Sequence, residues 1–277
     1  MKDQYEVISS EYNRALEKDT ISIVKSTGGA KFAGYSDEEL RNLPEGIKEN
    51  SFGCGNPLAF SEVKKGQTVL DLGSGAGLDL LLAAKRVGSA GQVIGIDMTD
   101  EMLNKARKNI EVSGCKNIVL KKAKIENLPI ESNSVDWVIS NCVINLSPEK
   151  DKVFSEISRV LKPGGKILIS DIVAQNVPWW VRKSGILTAA CAGGAISEQT
   201  YLRKLEHAGL VGCNVAERQY YDPSQMACIV VDNLPKLLAR ISCCGKSVAH
   251  ALLTKLAKPI SRKIWSAKFY AEMPAVD

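Results

Sequence analysis

The chain has 277 residues, of which 45% are hydrophobic and 24% charged, and it carries a formal net charge of +5. That length can bury a full core and suits one α/β domain of roughly 200 residues with a smaller appendage. The lysines are spread along the chain, which argues against nucleic acid as a partner. No apolar secretory core follows Met1 and no apolar run is long enough to span a membrane, so the sequence reads as cytoplasmic, with eight cysteines that are mostly reduced thiols.

Residues 1–60 read as an N-terminal helical arm ending in a cysteine loop. Gly28-Gly29 breaks the arm, and Tyr35-Ser-Asp-Glu-Glu-Leu40 starts a further helix with Ser36 as its cap. Apolar strand runs then alternate with amphipathic helices: strand 68–72, helix from 77, strand 92–97, helix from about 100, strands 117–121 and 135–140, helix from 149, and strand 166–171. Leu161-Lys-Pro-Gly-Gly165 reads as a structural turn feeding the fifth strand. A helix begins at Ser197-Glu-Gln, and 211–220 and 225–232 read as two late strands joined by Asp222-Pro223-Ser224. This alternation specifies a doubly wound, mostly parallel, Rossmann-like α/β sheet over residues 61–232 with an antiparallel edge strand. Residues 233–277 read as a basic, helical C-terminal extension.

The first strand and its turn, Val69-Leu-Asp-Leu-Gly-Ser-Gly-Ala-Gly77, are followed by Val93-Ile-Gly-Ile-Asp97, which puts an acidic residue at the tip of the second strand. Such a pair fits an adenosine-containing cofactor. The dinucleotide fingerprint needs its third glycine one position later, where this chain has Leu78, so the spacing favours S-adenosylmethionine over NAD. A turn without Cβ atoms lets backbone approach the methionine end, and Asp97 can accept hydrogen bonds from both ribose hydroxyls. Ligands in such sheets sit outside the C-terminal strand ends, where Gly73, Ser74, Gly75, Gly77, Asp97, Met98, Ile125, Glu126, Asn141 and Cys142 should converge. Met98 fits either the adenine face or the core. Asp79 fits either a cofactor contact or the favourable start of a helix.

Three cysteines occupy unusual places. Cys54 lies in Ser51-Phe-Gly-Cys-Gly-Asn-Pro57, Cys142 at the tip of the fourth strand, and Cys191 in Ala189-Ala-Cys-Ala-Gly-Gly-Ala195. The last two follow C-terminal strand ends, and Cys54 reaches the same face if the arm closes over it; packing is the alternative reading. Cys115, Cys213 and Cys228 read as core filler. A closed zinc site usually shows a Cys-x(2–4)-Cys knuckle, which these three lack, and Cys243-Cys244 has no matching second pair, with only His207 and His250 to assist. Three thiols suit a soft, pyramidal, three-coordinate centre instead.

These segments, with Ile125-Glu-Asn-Leu-Pro129, Ser140-Asn-Cys-Val-Ile-Asn-Leu-Ser-Pro148, Ser170-Asp-Ile172 and Cys191-Ala-Gly-Gly-Ala195, make residues 35–210 resemble the arsenite methyltransferase family of class I S-adenosylmethionine-dependent methyltransferases. The resemblance implies that Cys54, Cys142 and Cys191 bind arsenic as substrate, with no structural metal. It carries over Asp71, Gly73, Gly75, Gly77, Asp97, Met98, Ile125 and Glu126 as the cofactor pocket. Methyl transfer to thiol-bound trivalent arsenic, an external thiol reductant such as thioredoxin or glutathione, and a monomeric protein are the accompanying expectations. In one respect the chain departs from the family. Members commonly carry a further arm cysteine tied to a disulfide relay, and Val24-Lys-Ser-Thr-Gly-Gly-Ala30 has none. A methyltransferase of another small molecule, with Trp179-Trp180 as an apolar lid, and a non-catalytic arsenite-binding protein are the rival readings.

Overall fold

The computed structural model describes residues 33–41, 43–44, 47, 55–59, 61–176, 194–220 and 263–275. Helix α1 (Asp37–Arg41) precedes the alternating part of the chain, which runs β1 (Thr68–Leu72), α2 (Leu78–Val87), β2 (Gln92–Asp97), α3 (Asp100–Ser113), β3 (Ile118–Lys122) and β4 (Val135–Asn141). After a 3-10 turn at Ile144–Leu146 come α4 (Lys150–Val160), β5 (Leu161–Ala174), α5 (Glu198–His207), β6 (Val211–Tyr220) and β7 (Ile264–Glu272). Among the described residues the strands form one sheet in the order β3-β2-β1-β4-β5-β7-β6. The first five are parallel, and β7 runs antiparallel to both β5 and β6. This is the doubly wound sheet that the alternation predicts.

Helices cover both faces, so the inner strands are apolar on both sides, as a parallel sheet requires. The period-two alternation of side chains sorts them. Val69, Val93, Trp137, Ile139 and Leu168 face α2 and the segment around Tyr35, Leu40 and Leu58. Leu70, Leu72, Ile94, Ile96, Val138 and Ile169 face α4 and α5, with Phe154, Ile157, Tyr201 and Leu205 against them. Helix starts follow local chemistry. Ser36 and Glu39 form a reciprocal capping box, with Ser36 N–H donating to Glu39 Oε2 at 2.9 Å and Glu39 N–H donating to Ser36 Oγ at 3.2 Å. Thr99 caps α3 and Ser197 caps α5 through hydroxyls that accept from Met102 and Thr200 N–H.

Two expectations are corrected. Residues 264–272, read as part of a helical extension, form β7 inside the sheet. The antiparallel strand that turns the sheet is therefore β7, one position in from the edge, with β6 outside it. Polar Ser266 and Lys268 break up the apolar pattern of β7, but its register against both neighbours buries nearly the whole strand, and Glu217 on β6 pairs the Lys268 ammonium at 2.5 Å. Leu161–Gly165 is also not a free turn. Leu161 pairs with Val135, the ladder is irregular, and it resumes at Lys166 opposite Trp137, with Gly164 at φ 74° taking the bend. No helix among the described residues is long and apolar enough to cross a membrane. The proposed arm break at Gly28-Gly29, the 225–232 strand, Trp179-Trp180, Cys54, Cys191, Cys228, Cys243-Cys244 and His250 lie outside the described residues.

Candidate cofactor and thiol site

The chain leaves β1 through Gly73, Gly75 and Gly77, whose φ values of 70°, 52° and 92° lie in the left-handed region open to glycine. A side chain at Gly73 would drive into Val143, 2.5 Å away, whereas one at Gly75 would meet only the Gly73 carbonyl at 4.0 Å. The turn is thus backed by Val143 and open above Gly75. Asp97 at the tip of β2 ties the turn down: its Oδ2 accepts from Gly75 N–H at 3.1 Å, and Oδ1 accepts from the N–H and hydroxyl of Thr99 at 2.9 and 2.8 Å. Burial raises the pKa of this carboxyl, and the Thr99 and Gly75 donors oppose the rise. Ser74 Oγ is buried and finds no hydrogen-bond partner among the described residues. The open room above Gly75, the half-buried Asp97 carboxylate and this orphaned hydroxyl fit a polar, adenosine-bearing cofactor.

Two further carboxylates lie beneath. Asp71 and Asp79 are buried, and burial lifts both, Asp71 well above its usual value with Asp79 and Asp97 adding repulsion, and Asp79 to about 6. Asp79 sits in the first turn of α2, but the cap position belongs to Gly77 and no side chain caps this helix. Its carboxylate faces inward instead, accepting from Tyr35 Oη–H at 2.8 Å and from Asn141 Nδ2–H at 3.4 Å. Asn141, at the end of β4, also donates to Tyr35 Oη at 3.1 Å and to the Gly55 carbonyl at 2.6 Å, and its Oδ1 accepts from Gly55 N–H at 3.2 Å. The sequence reading assigns Asn141 to the cofactor. In the structure its carboxamide reaches the backbone next to Cys54. Tyr35 was not anticipated at all, since a lone tyrosine before a short helix carries no spacing signal.

Cys142 follows Asn141. It is buried, its φ of 61° is unusual for a residue with a side chain, and its N–H donates to the Ser170 carbonyl at 2.8 Å. It is disulfide-bonded, and since the other described cysteines, Cys115 and Cys213, are free, its partner lies outside the described residues. Ile125 packs into the core, Met98 is half-buried, and the Glu126 carboxylate accepts from the Ser147 hydroxyl. Beside Cys142 lies a polar cluster that the sequence does not announce. Asp171 on β5 is buried and accepts from Tyr201 Oη–H at 3.3 Å; burial pushes its carboxyl up to about 7 against the pull of Lys150. Asn145 donates to the Ile172 carbonyl at 2.6 Å, and Lys150 donates to the Asn145 carbonyl at 3.0 Å. A Cβ on Gly194 would fall 2.0 Å from that same carbonyl, so the chain three residues past Cys191 runs tight against the cluster.

Strand order, glycine turn and acidic strand tip together define a class I methyltransferase domain. Residues 63–209 match the family described as a methyltransferase domain. An arsenite methyltransferase of Halobacterium salinarum is 42% identical over 192 residues, covering 69% of this chain and 49% of that protein. An arsenite methyltransferase of Mus musculus is 39% identical over 172 residues, covering 58% of this chain and 45% of its own length. An arsenic(III) S-adenosylmethionine methyltransferase from Chlamydomonas reinhardtii, of solved structure, superposes with a TM-score of 0.66 at 30% identity, over 86% of this chain and 73% of that one. The chain belongs to the arsenite methyltransferase family, and it spans about half the length of the curated relatives it matches.

Proposed function

We propose that the protein moves a methyl group from S-adenosylmethionine to thiol-bound trivalent arsenic, giving methylated arsenicals and S-adenosylhomocysteine. The observation that carries this reading is the placement of Cys142, buried and left-handed at the end of β4, one residue beyond an asparagine that touches both Asp79 and Gly55. This supports a role for the Cys142 sulfur at the strand ends where the cofactor would lie.

When bound, S-adenosylmethionine supplies an electrophilic methyl on a sulfonium sulfur. The turn Gly73, Ser74, Gly75 and Gly77 would receive its methionine end, with Asp71 beneath, and Asp97 would accept from the ribose hydroxyls. Met98, Ile125 and Glu126 would line the adenine. Cys54, Cys142 and Cys191 would use the three bonding positions of arsenic and leave its lone pair to attack the methyl carbon. No general base is needed, so the protein's contribution is alignment. Gaining the methyl raises the formal oxidation state of arsenic by two. Two thiolates can then leave as a disulfide, two As–S bonds breaking as one S–S bond forms and arsenic regains its lone pair, while an outside thiol or water fills the position left open and gives its proton to solvent. An external dithiol such as thioredoxin, or glutathione, must reduce that disulfide before another cycle. The disulfide at Cys142 fits the oxidised form that this cycle ends in. The chemistry favours the cytoplasm, where thiols are kept reduced.

Purified protein, labelled S-adenosylmethionine, arsenite and excess dithiol test the reading. Labelled methylarsenic that disappears in Cys142→Ser supports it. Arsenite binding with no transfer would replace it with a binding protein, and transfer only to other acceptors would remove arsenic from the account.

A further inference from the structure

We infer that Asn145 is a positioning residue for the Cys142 sulfur: it clamps the turn after β4 onto β5 and so holds Cys142 in its left-handed conformation. The inference rests on the reading of Cys142 as an arsenic thiol. A residue with a Cβ is strained at the φ of 61° that Cys142 adopts, and such strain persists only where the surroundings over-determine it. Three consecutive residues of β5 supply that constraint. The Ser170 carbonyl accepts from Cys142 N–H at 2.8 Å, the Asp171 carboxyl accepts from Asn145 N–H, and the Ile172 carbonyl accepts from Asn145 Nδ2–H at 2.6 Å. The second and third of these bonds are both made by Asn145, whose side chain is buried. Its own carbonyl accepts from Lys150 Nζ at 3.0 Å, so the turn is also tied to the first turn of α4.

The clamp has supports of its own. Asp171 is held as an acceptor by Tyr201 Oη–H at 3.3 Å and by Ile172 N–H at 3.1 Å, and the Tyr201 ring packs between Phe154 and Phe269 at centroid distances of 5.2 and 3.9 Å. On the other side, Val143, which joins Cys142 to the 3-10 turn, backs the glycine turn: a Cβ on Gly73 would lie 2.5 Å from its side chain. The chain leaving Cys142 is thus fixed between β5 and the cofactor turn. A left-handed residue breaks the period-two alternation of β4, so the Cα–Cβ direction of Cys142 is set by the turn and not by the strand. Holding the turn therefore fixes that direction relative to Gly73.

The test asks whether Asn145 enforces the left-handed turn, and it needs neither arsenic nor turnover. Glycine is free of the strain that alanine carries at a left-handed position, so Cys142→Gly should melt about 2–6 °C above Cys142→Ala in the otherwise native full-length protein. With Asn145→Ala added to each, the turn can relax to ordinary dihedrals, and the order should vanish or reverse. Asp171→Leu removes the acceptor for Asn145 N–H, should abolish the glycine advantage in the same way, and serves where Asn145→Ala does not fold. A glycine advantage that persists in these backgrounds overturns the inference. So does its absence in the native background, which would leave the disulfide at Cys142 as what holds the turn. With Cys142 intact and excess dithiol, Asn145→Ala should lower kcat for arsenite methylation about tenfold or more, while the Kd for S-adenosylmethionine in calorimetry changes by less than about threefold. Native kcat, or equal loss of turnover and cofactor affinity, contradicts the thiol role. If the native protein methylates no arsenite, the functional reading falls, and the melting series decides the positioning role by itself.

Discussion

The residues at the strand ends do different kinds of work that the chemistry separates. Asp97, proposed as the charged acceptor for the cofactor ribose, holds Gly75 and Thr99. Asp97→Ala should weaken S-adenosylmethionine binding by about ten- to a hundredfold in calorimetry, the scale of losing hydrogen bonds to a charged group. Asp171 is different, since its carboxyl is buried and raised to about 7. A raised acid pKa means that the folded protein keeps a proton the unfolded chain releases. Stability from this group is therefore full below about pH 4 and is lost as pH rises toward 7. Asp171→Asn, which keeps an acceptor for Tyr201, should leave stability at pH 4 nearly unchanged and raise it at pH 8 by on the order of 1–4 kcal/mol. Parallel melting curves for variant and native protein at both pH values would contradict this. The glycine spacing and Asp97 were legible because turn geometry and strand period are local. The inward face of Asp79, the reach of Tyr35 and the grip of Asn141 on Gly55 were not, because they depend on which distant segments the sheet order brings together.

Among the elements, the parallel strands and their helices follow from apolar runs and local caps, and their observed limits stay within a residue or two of the reading except at β5 and β7. The β7 segment Ile264–Glu272 escaped because a strand buried on both faces has no clean alternation, and its Ser266 and Lys268 look like solvent positions until β6 supplies Glu217. Once placed, β7 joins β5 to β6, and its Phe269 stacks on Tyr201 with ring centroids 3.9 Å apart. Phe269→Ala should destabilise the protein by about 3–5 kcal/mol in denaturant unfolding, the cost of emptying a fully buried aromatic site. A change below about 1 kcal/mol would mean that the C-terminal strand is peripheral to the domain.

For the whole molecule, the glycine turn, Cys142 and the polar cluster gather at one end of the sheet because parallel strands deliver their C-terminal ends to the same side. Cys142 is disulfide-bonded, so turnover should stop without a dithiol and resume on its addition. With no cysteine in residues 24–30 to extend a relay, later methylations should be slow or strongly dependent on that dithiol. Dimethylarsenic formed readily at low reductant, and lost in Cys243→Ser with Cys244→Ser, would show the C-terminal pair doing this work instead. The proposed function requires three thiols distant in sequence to meet on one arsenic beside the cofactor. X-ray absorption at the arsenic edge, on reduced full-length protein loaded with one equivalent of arsenite, tests it most directly. Three sulfur neighbours are expected, falling to two in Cys54→Ser, Cys142→Ser or Cys191→Ser alike. Arsenic with oxygen neighbours in the native protein, or three sulfurs that survive loss of any one of these cysteines, would contradict it.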